Sequence, residues 1–577
     1  MMTLSFRERL KSLFLNDYFI AFLVLVAYLC TNNYIYAWDD QHLEIPLLKH
    51  LIDPSLYRGD YYVESLAKNF SSYLFPILAK FIKVSQIPTV YFILFLFARY
   101  MMFFFVFKLC QFISKDKFAA LCAVLMFFLT GRTEEFLYRT FSHQELAEGF
   151  MFAGIYLFYK ERFFLAALIF GLAANIHAIY NLFPMCYMLV FLLLFHPKRW
   201  SRTITAGLIF TVSCLPFLLW QIPRSLHDKI AVAPIPVADW MPIYLRSCPQ
   251  NLLFSDTPWN EAIKNIPFLI NQLEPYVFVL LLYIFLVIVS PVFRKDKKAH
   301  VIVWVGMLFI IFSTVFTYVI PSRFILDLNL LRNEQYIRWL LMAYTAMWAV
   351  RVAREAKPWQ VILAAVMFLF IGFNNWIYFV PKLHKNIWVM AAMAVVAVVL
   401  WRNFWPKFEG IFRKSLIFIP LLGAFIAFCI FHYNYLQVRD HGEGFWQLQR
   451  NWVDMQMYVR DHTPKDAFIL TPINTDMGGF RIHSERRVVV CGRDCGIVGF
   501  DYPATLEWSR RMEDLKDFVV MTNSSVDKAI FTAIFKYKVD YIVFMNYYAP
   551  KEDNPILKKM YQNGVFSLFK VTVNAKN

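Results

Sequence analysis

Two adjacent carboxylates, Asp39 and Asp40 in YAWDDQHLEIPLLKHLIDP, stand directly after the first long apolar run of the chain. Charged acids beside hydrocarbon are costly unless they face water, a metal or a cationic partner, so the pair points to a wet hollow at a membrane surface. There a carboxylate can take a proton from a hydroxyl, or set a divalent cation against a phosphate leaving group. A solvated helix end fits the same two residues. A second polar segment, GRTEEFLYRTFSHQELAEG, holds Glu134, Glu135, His143, Glu145 and Glu148 around Arg132 and Arg139. Two acidic segments joined by an out-and-back helical pair can face one cleft. Asp39 or Asp40 with Glu134 or Glu135 would then be the catalytic acids, and Asp40, Glu135 and His143 a candidate set for a hard cation such as Mg²⁺ or Mn²⁺. His143 and Glu145 equally suit the cap of the helix that follows.

Further along, GLAANIHAIYN places Asn175, His177 and Asn181 at a turn between two apolar runs. His177 lies at the level of a lipid phosphate head group, although a structural histidine fits the position too. YVIPSRFILDLNLLRNEQYIRW presents Arg323, Arg332 and Arg338. Planar guanidinium groups pair bidentately with phosphate, which makes Arg323 and Arg332 candidates for holding one. Arg338, at the start of an apolar run, also suits a lipid head-group anchor. Cys491 and Cys495 in CGRDC are the only close cysteine pair in a polar segment. In an oxidising compartment they would form a small disulfide loop, or remain two free thiols; a zinc site lacks further ligands. FRIHSERR gathers Arg481, Arg486 and Arg487 with His483 and Glu485, which reads as surface charge flanking a strand.

The elements that must position these groups are mostly membrane helices. Of 577 residues 59% are hydrophobic and 61 are Phe, far more apolar surface than a soluble fold can hide. The net charge of +17 lies in short Lys/Arg clusters between apolar runs rather than along one basic face, which excludes nucleic acid as the partner. A membrane crossing needs about 20 apolar residues, and about thirteen runs qualify. They fall near 18–37, 88–112, 118–131, 146–160, 163–178, 179–195, 203–221, 272–293, 300–320, 337–353, 359–380, 387–402 and 415–433. The basic amino end precedes a run with no small-residue cleavage site, so it reads as a retained first helix. With that end cytoplasmic, every inside loop is basic: SKDK, KER, HPKRWSR, FRKDKK, RVAREAK and WRNFWPKFEGIFRK. The outside loops become 38–87, 131–145, 222–271 and 321–336, which are longer and more acidic. Lys80 and Lys83 suit an amphipathic helix on the outer surface.

An odd number of crossings leaves residues 434–577 outside as a second domain after the transmembrane domain 1–433. FWQLQRNWVDMQMYVRDHTP predicts an amphipathic helix stopped by Pro464. AFILTP, RRVVVCG, DFVVMT, DYIVFMN and FSLFKVTV predict short strands. ATLEWSRRMEDLKD and SSVDKAIFTAIFKYK have helical spacing, the second with Asn523 or Ser524 as N-cap. The expected fold is a polytopic α-helical membrane protein with a small carboxyl-terminal α/β domain of two or three layers.

Acids directly after the first span, a second acid in the next outer loop, many spans and a soluble carboxyl-terminal domain together resemble the GT-C superfamily of membrane glycosyltransferases. The first-loop position matches Asp39 and Asp40, and the second matches Glu134 or Glu135. More narrowly, WDDQHLEIPLLKHLIDPSLYRGDYYV, FSHQELAEGF with YLFYKERFFLAALIFGLAANIHAIYNLFP, and DHTPKDAFILTPINTDMGGFR with SERRVVV resemble a group of bacterial membrane proteins that carry a tail of the DUF6798 type. The resemblance implies a bacterial inner-membrane enzyme that moves a sugar from a polyprenyl-phosphate donor to a lipid-linked glycan, lipid or protein acceptor on the outer face. The departure from the family is that no sharp donor-phosphate motif and no acceptor motif is present. The rival reading is a non-catalytic transporter or a subunit of a polysaccharide or lipid export complex. It gains from intramembrane acids such as Glu274, and loses because inverted repeats and paired broken helices are missing. A lipid polymerase or ligase would use the same pocket.

Overall fold

A computed structural model of the chain describes residues 16–31, 34–126, 139–222, 236–248, 251–254, 261, 264–355, 443–473, 479–499, 501–520, 526–550 and 555–573. The expected spans near 359–380, 387–402 and 415–433 lie outside these residues, as do Glu134 and Glu135. The first helices are α1 (Asp17–Thr31), the short loop helices α2 (Gln41–Ile52), α3 (Tyr61–Asn69) and α4 (Leu74–Phe81), then α5 (Ile87–Ser114) and α6 (Lys117–Leu125). There follow α7 (His143–Tyr159), α8 (Phe163–Ala174), α9 (Ala178–Phe195), α10 (Trp200–Ser213), α11 (Val237–Ser247), α12 (Ile266–Val289), α13 (Lys297–Tyr318) and α14 (Asn333–Glu355).

This is an integral membrane protein, and among the described residues fewer spans are found than the expected thirteen or so. Among the described residues three helices are long and apolar enough to cross a bilayer: Val84–Ser114, Ala178–Phe195 and Lys297–Tyr318. The run near 203–221 is a pair, Pro197–Ser213 and Leu215–Ile222, bent by 72°. Asp17–Cys30, Phe163–Ala174 and Pro275–Val289 are apolar but shorter than a full crossing. Composition located these helices, whereas length is set by caps and breaks that hydropathy does not register.

Ion pairs join several of the loops expected on one side. Asp17 pairs with Lys108 and Lys117, each at 2.7 Å, Asp116 pairs with Arg354, and Lys298 reaches Glu161 at 3.2 Å. At the opposite end the Ile35 amide donates to the Arg139 carbonyl at 2.8 Å, joining the first loop to the second. Lys80 and Lys83 are exposed at α4 and just after it. Gly154 lets α7 and α8 pack closely, since a Cβ there would come within 2.3 Å of Phe170.

The tail begins with α15 (Glu443–His462) and holds a sheet of β1 (Phe468–Leu470), β2 (Arg487–Val488), β3 (Tyr541–Met545), β4 (Leu557–Gln562) and β5 (Phe566–Val571) in the order β2-β1-β3-β5-β4. β1 runs parallel to β2 and β3, while β5 is antiparallel to β3 and β4. Period-two alternation sends Ile469, Val543 and Leu568 to the face covered by Trp452 and Val459 of α15. Leu470, Ile542, Phe544 and Phe569 meet Trp508 and Met512 of α16 (Tyr502–Asp514) on the other face, giving three layers. DFVVMT departs from its expected strand: Lys516–Val520 is helical, and Phe518 lies edge-on against Phe544 of β3, with ring centroids 5.6 Å apart. A short apolar run has no period long enough to distinguish helix from strand. β4 was missed although Asn563-Gly564 marks its hairpin with β5.

Candidate functional site: an acid and histidine cluster where four segments meet

The first loop enters its helix through a tight backbone. Ala37 and Asp39 both have left-handed backbone, with φ of 64° and 48°, a conformation that costs non-glycine residues energy and persists only where surroundings enforce it. The enforcement is visible: Gln41 accepts from the Ala37 amide at 2.6 Å and donates to the Phe141 carbonyl at 2.9 Å. The turn throws the two acids apart. Asp39 faces the tail, where its carboxylate lies 3.6 Å from Arg493, and its carbonyl meets the His42 ring. Asp40 occupies the N-cap of α2 without a side-chain cap bond and stays exposed.

One turn on from Asp40, Glu44 is fully buried. It receives the His143 backbone amide at 3.0 Å, and the same oxygen sits 2.6 Å from His143 Nδ1. Among the described residues its second oxygen, Oε2, has no hydrogen-bond partner. Burial, reinforced by the nearby Asp40 charge, raises the Glu44 carboxyl well above the usual carboxylate range, against the His143 amide. The His143 ring is held edge-on by Phe70 and Phe75 at 5.1 and 5.7 Å and stacks on His177 at 4.9 Å.

Position 143 follows from a local rule. Ser142 and Glu145 in SHQE close a capping box at the start of α7, with the Ser142 hydroxyl accepting from the Gln144 amide at 3.2 Å. Glu145 therefore caps, as one of its two expected roles has it. It also lies, with Glu148, 3.6 Å from the Arg99 guanidinium in the middle of α5. Arg99 faces the Tyr28 and Phe95 rings at 5.8 and 5.6 Å. The Arg99 triad went unnoticed in the sequence; a single cation inside FARYMMFFF was its signal.

His177 is the N-cap of α9 and packs edge-on against Tyr180 at 4.7 Å. Among the described residues its Nδ1 has no hydrogen-bond partner. Arg332 donates to the Tyr180 hydroxyl at 3.3 Å. Asp40, Glu44, His143, His177 and Arg332 thus form a continuous chain from α2, α7, α9 and the loop before α14. Arg323 sits elsewhere, with its guanidinium over the Tyr502 ring of the tail at 4.5 Å and 4.0 Å from Asp327. Arg338 pairs with buried Glu334 at 2.5 Å. Among the described residues no group of three or more His, Cys, Asp or Glu is placed to hold a metal ion.

Below the tail a second charged cluster is saturated. Asp60 caps α3 through the amides of Tyr62 and Val63 at 3.1 and 3.2 Å, and its other oxygen receives Arg481 Nε at 2.7 Å and the Val488 amide at 3.0 Å. Arg481 also grips Asp494 at 2.9 and 3.2 Å, and Asp494 accepts from Tyr61 at 3.1 Å and the Cys491 amide at 3.0 Å. The expectation of surface charge at Arg481 is therefore corrected: it is 3% exposed. Lys49 reaches Glu485 at 2.6 Å, and Ser65 and Asn69 both bind Asp501 at 2.6 Å. Gly479 allows this close docking, for a Cβ there would stand 3.0 Å from His42 Cβ. Cys491 and Cys495 are free thiols rather than a disulfide. Burial raises both, Cys491 to about 11, which keeps the thiolate needed for exchange scarce near neutral pH.

Residues 450–515 match the family described as "Domain of unknown function (DUF6798)", as the DHTPKDAFILTPINTDMGGFR stretch led us to expect. That stretch of chain includes Arg481, Glu485, Arg493 and Asp494, the residues that meet the first loop. The chain is similar to the crystal structure of ArnT from Cupriavidus metallidurans bound to undecaprenyl phosphate, at 11% identity over 96% of this chain and 98% of that one, with a TM-score of 0.45. The apo structure of the same protein is similar at 10% identity over 95% and 96%, with a TM-score of 0.46. No curated protein matches the chain.

Proposed function

We propose that the protein is a GT-C-type glycosyltransferase that moves a sugar from a polyprenyl-phosphate donor to a hydroxyl-bearing acceptor, a lipid-linked glycan, a lipid or a protein, on the outer face of a bacterial inner membrane. The observation that supports it is the chain Asp40, Glu44, His143, His177, Arg332, which sets acid at one end and a guanidinium at the other. An acceptor hydroxyl needs an acid or base beside it, and a departing phosphate needs a cation. Asp40 orients the acceptor hydroxyl. Arg332, with His177, takes the donor phosphate; Arg323, which packs on Tyr502 of the tail, is the other candidate. The carboxylates of Asp40 and Glu135 would hold Mg²⁺ or Mn²⁺, which binds through one or two carboxylates plus phosphate oxygens and would neutralise phosphate charge. The amino end faces the cytoplasm and the tail the periplasm, as the basic inside loops require.

The test is the Asp39→Asn, Asp40→Asn double variant, returned to a deletion strain and assayed for cell-surface glycan. Loss of glycan at normal protein level is expected; full activity removes these acids from the reaction. Chelation of the purified protein with EDTA, followed by Mg²⁺ or Mn²⁺, decides the metal: recovery of transfer is expected, and transfer indifferent to both refutes it.

A further inference from the structure

We infer that Asn329 is a positioning residue whose side-chain oxygen fixes the plane of the Arg332 guanidinium, so that the fork meets the donor phosphate in one orientation. The inference rests on the transferase reading and deepens it. An arginine side chain is long and rich in rotamers, so ordering it around a phosphate costs conformational freedom at the moment of binding. At Arg332 that ordering is already done. The Asn329 oxygen accepts from Arg332 Nε, and from Nη2 at 3.2 Å, which holds one edge of the planar group. The opposite orientation of the amide would set N–H against N–H. Arg332 Nη1 donates to the Tyr180 hydroxyl of α9 at 3.3 Å. One held edge lets the fork swing; two, from different segments, fix its plane.

The residue that does the holding is itself held. Asn329 is buried and lies in the left-handed region, with φ of 47° and ψ of 51°. Asn is one of the few residues with a side chain that adopt this backbone at modest cost, and unlike Gly it brings an acceptor with it. Its amide nitrogen donates to Asn251 Oδ1 at 3.1 Å, and Asn251 Nδ2 donates to the Tyr244 hydroxyl of α11 at 3.2 Å. Asn251 and Tyr244 are both buried. On the far side of the turn Leu330–Arg332, Asn333 donates to the Leu330 carbonyl at 2.8 Å and accepts from Tyr187 of α9. The chemistry of the brace suits a phosphate site. A carboxylate at position 329 would hold the fork equally well but would neutralise it, whereas an amide fixes the cation and leaves its charge for the ligand.

The test is a double-mutant cycle on the full chain in micelles, with undecaprenyl phosphate as the titrant. Gly adopts the left-handed backbone without strain, so Asn329→Gly removes the amide and keeps the turn. Alone it should weaken binding roughly 3- to 10-fold, the cost of ordering one long side chain. In an Arg332→Met background the same substitution should change affinity by less than about twofold, because its effect runs through Arg332. A merely structural role would weaken binding equally in both backgrounds, and that result overturns the inference, as does wild-type affinity in Asn329→Gly. Asn251→Ala leaves position 329 intact and should repeat the pattern at about threefold; it decides the matter by the same comparison if Asn329→Gly fails to fold. Wild-type affinity in Arg332→Met overturns the inference and leaves the transferase reading standing. A wild type that binds undecaprenyl phosphate no better than undecaprenol defeats that reading and the inference with it.

Discussion

Asp40 and Asp60 lie in the same loop and are the same residue type, yet their surroundings differ in kind. Asp60 is fully buried and both of its oxygens are used, on two helix-cap amides, Arg481 and the Val488 amide. The Asp40 cluster is less complete: among the described residues the Asp40 side chain makes no cap bond, and Glu44 Oε2 and His177 Nδ1 lack hydrogen-bond partners. A buried polar group left without a partner is costly. The first cluster is structural, a clamp between the loop and the tail.

The comparison breaks most visibly through the clamp. Arg481→Met strands Asp60 and Asp494 in a dry site and should destabilise by about 3–5 kcal/mol, read as a lower thermal midpoint in detergent and faster proteolysis of the tail. Combining it with Asp60→Asn should add little, since the residues act as one network. A full additive loss would mean that the clamp is not a unit. Asp40→Asn is expected to do the converse, lowering transfer about 100- to 1000-fold with the thermal midpoint unchanged. A lower midpoint with transfer intact would exchange the roles of the two clusters.

Smaller effects sharpen the division. Arg332→Met removes a charge-assisted contact worth about 1.5–3 kcal/mol, so undecaprenyl phosphate should bind roughly 10- to 100-fold more weakly, with Arg332→Lys in between. Titration calorimetry in micelles reads this directly, and unchanged affinity would move the phosphate elsewhere. The smallest effect is pH-dependent docking of the tail. Burial, with Lys49 and Arg460 nearby, pushes His483 down to about 4 in the fold from an ordinary 6.5. The unfolded chain then binds more protons across that window. The stabilisation from neutral His483 is complete above 6.5 and is lost as pH falls toward 4. Protease resistance of the tail should decline over that interval, and His483→Asn should flatten the decline; a slope that survives the substitution assigns it to His42, which burial also lowers.

Much of the architecture was legible because it depends on local properties. Apolar runs located α1, α5 to α10 and α12 to α14, His143 and Glu145 suited the cap of α7, and the alternation of AFILTP and DYIVFMN located two strands of the sheet. What stayed illegible is pairing across distance. Arg481 looked like surface charge because its partner Asp60 stands 421 residues away, and Glu44 went unnoticed because its partner His143 is 99 residues on. The bend at 203–221 escaped hydropathy, which sums side-chain preference and is blind to backbone direction.

The amino-acid sequence by itself determined that this chain lives in a membrane, that its acids gather in the loops opposite the basic ones, and that an α/β unit follows. These conclusions follow from composition and period, which each short stretch expresses alone. Only the tertiary structure decided which acid is saturated and which is left open, because satisfaction of a buried polar group depends on atoms from several segments at once.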